Sequence, residues 1–213
     1  MNSYPVIFPI IIIFTGALAA ALCGVPVLNR RLTAPRLGWI LSVVPLSAFV
    51  LLLQTVPDLQ AGTVFTWQIQ WLPSIGINAS LYFDSLAALF ALLITFIGTV
   101  VIIYAGQYFR DDSGTWRFFT YILLFMGAML GLVMAGDVIT LFIFWEGTSI
   151  VSFLLVAYKY KDDEARRGAF KALFITAGGG IALLIGLLLI PLNVYWLTKS
   201  TYGYPLPLPF TST

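Results

Sequence analysis

The chain has 213 residues, 60% hydrophobic and 9% charged, against about 25% charged in an ordinary soluble domain. So little charge cannot coat a soluble sphere, and one cysteine with no histidine excludes a disulfide scaffold and histidine-based catalysis, relays or metal sites. The apolar content excludes disorder, and a scattered net charge of +2 excludes a nucleic-acid footprint. What remains is a polytopic membrane protein.

A helix crossing the hydrocarbon needs about 20 mostly apolar residues. Six stretches qualify: 6–28, 37–56, 86–109, 118–136, 138–158 and 169–195. The first is expected to stay as a structural helix. Residues 1–5 carry no positive charge, and the apolar run exceeds a signal-peptide core. Cys23 reads as a small apolar helix residue, since Leu22 stands where a lipoprotein signal needs a small side chain.

The segment 57–83, between the second and third helices, is too polar to span and too long for a simple turn. Phe65, Trp67, Ile69 and Trp71 alternate with Thr66, Gln68 and Gln70. After Pro73 and Ser74 a second alternation runs through Ile75, Ile77, Ala79 and Leu81. Period two on both sides of a turn signal predicts a β-hairpin, with an irregular interfacial loop as the competing reading. Trp67 and Trp71 suit a membrane–water interface.

The boundary at Gly136 and Asp137 is short enough to require a tight turn at the membrane surface. Asp84 and Asp137 stand where N-caps of the third and fifth helices belong. Asp58, Asp111, Asp112, Asp162, Asp163 and Glu164 lie in loops, where carboxylates are solvated. In the sixth stretch, Pro191 is expected to kink or stop the helix. The proline-rich 204–210 is expected to be extended.

Basic residues set the orientation. The first loop holds Arg30, Arg31 and Arg36, the third Arg110 and Arg117, and the fifth Lys159, Lys161, Arg166 and Arg167. The second and fourth loops hold none, and the tail holds only Lys199. Both termini are therefore expected outside, with the odd loops in the cytoplasm.

Glu146 is the acid that no cap, turn or snorkelling route explains. It follows Phe142, Ile143, Phe144 and Trp145 near the middle of 138–158, where an ionisable group is costly unless paired or hydrated. Ser149 and Ser152 roughly share its face, and Gly147 leaves room beside it. Desolvation favours the neutral form of a buried carboxyl and a nearby cation the charged form, so a carboxyl under both influences can exchange protons. The competing role is a protonated glutamic acid that only bonds helices together. Lys171 is the natural counter-charge, but it lies near the opposite end of an antiparallel helix, offset by about 15 Å at 1.5 Å per residue. A direct ion pair is not expected; a water-mediated relay and snorkelling to the surface both remain open. Gly178, Gly179 and Gly180 lie deeper in that helix, permitting close packing or a local break.

The run Gly136-Asp137-Val138, then Leu141-Phe142-Ile143-Phe144-Trp145-Glu146-Gly147, Ser152-Phe153-Leu154-Leu155-Val156 and Lys171-Ala172-Leu173, resembles the antiporter-like family. That family includes the proton-pumping membrane subunits of respiratory complex I and the large subunit of Mrp-type cation/proton antiporters. Tyr82-Phe83-Asp84-Ser85-Leu86 is similar to the segment before the family's third helix, and Thr176-Ala177-Gly178-Gly179-Gly180-Ile181-Ala182 resembles the Mrp large subunit more closely. The resemblance implies that Glu146 is the glutamate of ion translocation and Lys171 the sixth-helix lysine. Members are much longer, with two inverted five-helix repeats, and the resemblance implies a modulating lysine on a seventh helix, after this sequence ends.

The expected organisation is two helices in 1–57, an external hairpin-like segment in 58–83, a four-helix antiporter-like core fragment in 84–195, and an extended external tail in 196–213. The fold class is an all-α polytopic membrane protein of six transmembrane helices with a β-hairpin-like external loop between helices 2 and 3. The leading function is proton translocation, or sodium/proton exchange, as a shortened or split antiporter-like subunit in a prokaryotic inner membrane. Its partners would be other antiporter-like membrane subunits in a hetero-oligomer within the lipid bilayer, with no nucleic acid. A non-conducting structural subunit is one alternative. Another is a subunit of a redox-driven complex, an NADH–quinone oxidoreductase or membrane hydrogenase; the chain itself is expected to hold no cofactor. On a Cys23→Ala background, Ser74→Cys and Ser113→Cys should react with a membrane-impermeant thiol reagent from opposite sides, Ser74→Cys from outside. Labelling of both from one side contradicts this topology.

Overall fold

The structure is a computed structural model, and it describes residues 4–24, 33–72, 77–110, 114–159 and 163–202. Six long helices follow in chain order: α1 (Tyr4–Leu22), α2 (Ala34–Leu53), α3 (Ser85–Tyr108), α4 (Thr115–Val133), α5 (Val138–Val156) and α6 (Asp163–Tyr202). Five of the helical segments are long and apolar enough to cross a bilayer, and α1 adds a shorter apolar run, Val6–Leu22. A single helical turn, Val56–Gln60, extends α2, and a 3-10 turn, Ala157–Lys159, ends α5.

The core lies among α1–α4 and one face of the hairpin, around Ile13, Leu52, Phe83, Ile102, Phe119, Leu123 and Leu130. Trp39, Val43, Leu89, Phe96 and Val100 point outward, as side chains facing acyl tails should. The closest helix pair is α2 on α3. There Gly38 and Gly106 bring the two backbones together, and a Cβ on either would meet the other's Cα at about 3 Å. Buried hydroxyls bond back to their own helices: Thr95 donates to the Ala91 carbonyl and Thr99 to the Thr95 carbonyl, both at 2.8 Å.

Asp84 caps α3 by accepting the Ala87 N–H at 2.8 Å. At the opposite end of the bundle, Phe109, Phe118 and Tyr158 cluster with ring centroids 4.8 to 5.8 Å apart, and the Arg117 guanidinium sits 5.8 Å over the Tyr158 ring. Gly24 lies against the Trp116 ring at that same end. The ends bearing the basic loops therefore converge. Arg30, Arg31, Lys161, Asp111, Asp112 and Asp162 lie outside the described residues.

The expected hairpin is present. β1 (Phe65–Leu72) and β2 (Ile77–Phe83) pair antiparallel, Phe65 opposite Phe83 and Trp67 opposite Leu81, with a register shift between Gln70 and Leu72. Its Pro73–Ser74 turn lies outside the described residues. The surprise is at Gly136 and Asp137. Rather than a simple turn, Met134 to Asp137 is a short extended link that pairs with β2: the Tyr82 N–H donates to the Met134 carbonyl at 2.7 Å, and the Gly136 N–H to the Ser80 carbonyl at 2.9 Å. Gly136 permits that approach, since a Cβ there would lie 2.8 Å from the Ser80 hydroxyl oxygen. Asp137 completes it. Its Oδ1 caps α5 by accepting the Thr140 N–H, while Oδ2 accepts the Ser80 N–H, the Ser80 hydroxyl and the Thr140 hydroxyl at 2.7 to 2.8 Å.

The extended tail expected from 196 is corrected, and of the kink or stop expected at Pro191 the stop is excluded, because α6 runs to Tyr202. Proline withdraws a single donor from the ladder, and helical bonding resumes beyond it. The stretch 204–210 lies outside the described residues.

Burial pushes the Asp137 carboxyl up, but the bonds from Thr140 and Ser80 outweigh it and hold the group below its ordinary value. Its contribution to stability is therefore complete above the unfolded value of about 3.9 and is lost as pH falls through the lower folded value. Asp137→Ala should cost about 1–2 kcal/mol, the usual loss for a cap, measured by thermal unfolding in detergent at neutral pH. The difference from wild type should vanish at low pH.

Candidate functional site

The site forms where α5 crosses α6. α5 starts from the Asp137 cap, and its third turn carries Trp145 and Glu146 into the bundle. On α6 the facing residue is Gly180. A Cβ built there would collide with Oε1 of Glu146 and lie 3.4 Å from the Trp145 ring edge. Gly180 is buried while Gly178 and Gly179 have open space where a Cβ would go. Of the three glycines, one makes room for the carboxyl.

Lys171 is elsewhere. It is exposed on α6, nine residues before Gly180, about 14 Å along the axis at 1.5 Å per residue. No ion pair among the described residues joins it to Glu146, in agreement with the expected offset. Ser149 and Ser152 do lie on the side of Glu146 facing the basic end, but both hydroxyls donate to carbonyls of their own helix, at 3.2 and 2.9 Å.

Among the described residues, two side-chain atoms are buried without a hydrogen-bond partner from the protein: Oε1 of Glu146 and Nε1 of Trp145. One is an acceptor and the other a donor, and both side chains converge on Gly180. Leaving such groups unsatisfied costs about 1–3 kcal/mol each, which marks this crossing as the costly polar point of the fold.

Cavities flank this point on both sides. One of about 360 Å³ is lined by Thr148, Ser149 and Ser152 of α5, Thr176 of α6, and Phe125 and Met129 of α4. The other, about 610 Å³, holds Asp84 and Tyr82 at its outer end, with Leu141 of α5 and Leu183 and Leu187 of α6. Leu132 and Trp145 border both. Glu146 itself lines neither cavity, but its neighbour Trp145 borders both, so the half-buried carboxyl stands at the level between the hydroxyl-rich space and the one holding Asp84. Thr148, Thr176 and the pairing of Gly180 with Glu146 were not singled out from sequence. The four-residue spacing of Thr176 and Gly180, which puts them on one helix face, is the signal that could have found them.

The same residues carry the family match. The model for the complex I chain 5 N-terminus (NADH-Ubiquinone oxidoreductase) matches residues 67–119, and that for the NADH:quinone oxidoreductase/Mrp antiporter transmembrane region matches 135–202. Together they take in most of the hairpin, α3, the start of α4, α5 and α6. The chain belongs to the antiporter-like family, to whose N-terminal part it corresponds. It is an integral membrane protein.

Among relatives, the Na(+)/H(+) antiporter A1 component of Staphylococcus haemolyticus is 40% identical over 168 residues, covering 79% of this chain and 21% of that protein. A probable K(+)/H(+) antiporter component of Rhizobium meliloti is 42% identical over 154 residues, covering 72% of this chain and 15% of that protein. The chain thus spans about a fifth of the length of the curated relatives it matches. In the Mrp complex from a Dietzia species, a chain superposes with a TM-score of 0.69 at 26% identity, over 94% of this chain and 20% of that one. An archaeal membrane-bound sulfane sulfur reductase shares the fold, with a TM-score of 0.67 at 20% identity over 98% of this chain and 29% of that one.

Gly180→Ala should push the Glu146 carboxyl aside and so forfeit the helix gain of up to about 1 kcal/mol that Gly→Ala brings elsewhere on α6. Gly179→Ala should be neutral or slightly stabilising. Thermal unfolding of the two variants in the same detergent checks the contrast.

Proposed function

We propose that this chain carries the proton-exchanging glutamate of an ion-translocating membrane subunit, Glu146, in a complex that exchanges protons for a monovalent cation. The observation that carries the reading is the burial of the Glu146 Oε1 without a protein partner, next to Trp145, which borders both a hydroxyl-lined cavity and one reaching Asp84. A carboxyl used only to bond helices would have its acceptor satisfied by a neighbouring side chain or backbone. Sodium is the favoured cation, from the staphylococcal relatives, with potassium the alternative offered by the rhizobial one. The complex I match keeps a redox-driven assembly as the second reading of what powers the exchange.

Further membrane helices are the proposed partners. In the spanning windows, 44% of α4 is buried but only 17% of α5 and 6% of α6. The Glu146 side of the fold is thus its least covered side, and a cationic side chain on a helix packed there is the proposed counter-charge. Lys171, at the basic end, is proposed as a relay to that surface. The proposed setting is a prokaryotic inner membrane with both termini external, following the basic loops that converge at one end.

Glu146→Gln keeps size and hydrogen bonding but removes the charge. It should abolish cation/proton exchange in reconstituted vesicles while leaving the complex assembled, as seen by intact-complex mass spectrometry. Lys171→Ala should slow exchange without abolishing it. Wild-type exchange by Glu146→Gln returns Glu146 to a packing role.

A further inference from the structure

We propose that the Trp145 ring is the seal between the two cavities, closing the path past Glu146 except through the carboxyl itself. The inference rests on the reading of Glu146 as the translocating group, and it assigns the neighbouring residue a separate task.

Residue order along both helices supports it. On α5, Leu141 lines the Asp84-side cavity, Trp145 borders both cavities, and Thr148, Ser149 and Ser152 line the hydroxyl-rich one. α6 runs the other way: Thr176 lines the hydroxyl-rich cavity, Gly180 meets Glu146 and Trp145, and Leu183 and Leu187 line the Asp84-side cavity. Thr176, Gly180, Leu183 and Leu187 recur at helical spacing and form one stripe. The two helices therefore agree on one level at which the cavities are divided. At that level α4 contributes Leu132, α6 a bare glycine and α5 an indole.

The gap that Gly180 leaves is taken by the Glu146 carboxyl with the indole edge beside it, and the indole is the largest side chain that borders both cavities at this level. Its N–H end, unpartnered within the protein, points a donor into the layer where Oε1 offers an acceptor. The ring therefore blocks bulk water at the level of the carboxyl. The ring is a positioning and sealing group and itself exchanges no proton.

Sidedness of labelling tests this without any measurement of ion exchange. On a Cys23→Ala background in the intact membrane-embedded protein, Ser152→Cys and Leu183→Cys report the two cavities to a small impermeant thiosulfonate. With Trp145 present, each should react from one face only, and the two from opposite faces. Trp145→Ala should abolish that sidedness, so both react from both faces; Trp145→Leu serves where the alanine variant fails to assemble. Trp145→Phe keeps a ring and should restore sidedness. Unchanged sidedness in the alanine or leucine variant overturns the proposal, as does loss in the phenylalanine variant, or a wild-type background in which either cysteine reacts from both faces or not at all. Glu146→Gln discriminates the two readings. Normal exchange in that variant with Trp145-dependent sidedness removes the translocation role and leaves the seal; the reverse pattern removes the seal alone.

Discussion

Hydrocarbon offers the backbone no hydrogen-bond partner, so every N–H and carbonyl at membrane depth must be satisfied within the protein. Six helices meet that demand along most of the chain. The hairpin cannot, because a two-stranded ribbon has two open edges. The link from Met134 to Asp137 closes part of one edge, pairing with Ser80 and Tyr82, and the Asp137 carboxylate takes the remaining Ser80 donor while capping α5. This arrangement sets the position of α5. The depth of Glu146 follows from it, since the helix starts at Asp137 and brings the carboxyl inward at about 1.5 Å per residue.

A carboxyl placed at that depth then constrains its neighbours. α6 can cross α5 there only because Gly180 has no side chain, and the stripe containing it changes from threonine to leucine on either side of the crossing. The polar surface available to Glu146 is accordingly asymmetric: hydroxyls toward the basic end, apolar walls leading to Asp84 and Tyr82 toward the hairpin. Asp84 and Asp137 are ordinary caps by local geometry, yet both stand at the hairpin end of the fold, where their charges face the outer part of the same bundle.

Membership of the antiporter-like family agrees with this geometry at the level of fold and motif. The family matches run through most of the hairpin, α3, the start of α4, α5 and α6. The superposition on a chain of an Mrp complex covers 94% of these residues but a fifth of that chain, so the comparison speaks for the local fold. What the larger relatives transport is their own property.

Much was legible in the sequence because single-segment physics decided it. Apolar runs of sufficient length set the helices, period-two alternation set the hairpin, carboxylates at helix starts set the two caps, and an acid amid Phe144, Trp145 and Gly147 marked the site. The axial separation of Glu146 and Lys171 was also arithmetic, needing only helix rise and direction. Other features depend on two segments meeting, which no periodicity within one of them reveals. The pairing of 134–137 with β2, 57 residues away at Ser80 and Asp137, is one. The choice of Gly180 among three adjacent glycines is another, because helix rotation, set by packing against α5, decides which one faces the carboxyl. Pro191 failed as a stop signal for a related reason: a proline's local cost sets a preference, and the rest of the ladder can override it. The sequence by itself thus determined the elements and the buried acid, while the tertiary structure decided what that acid faces, because helix rotation and close approach are properties of pairs.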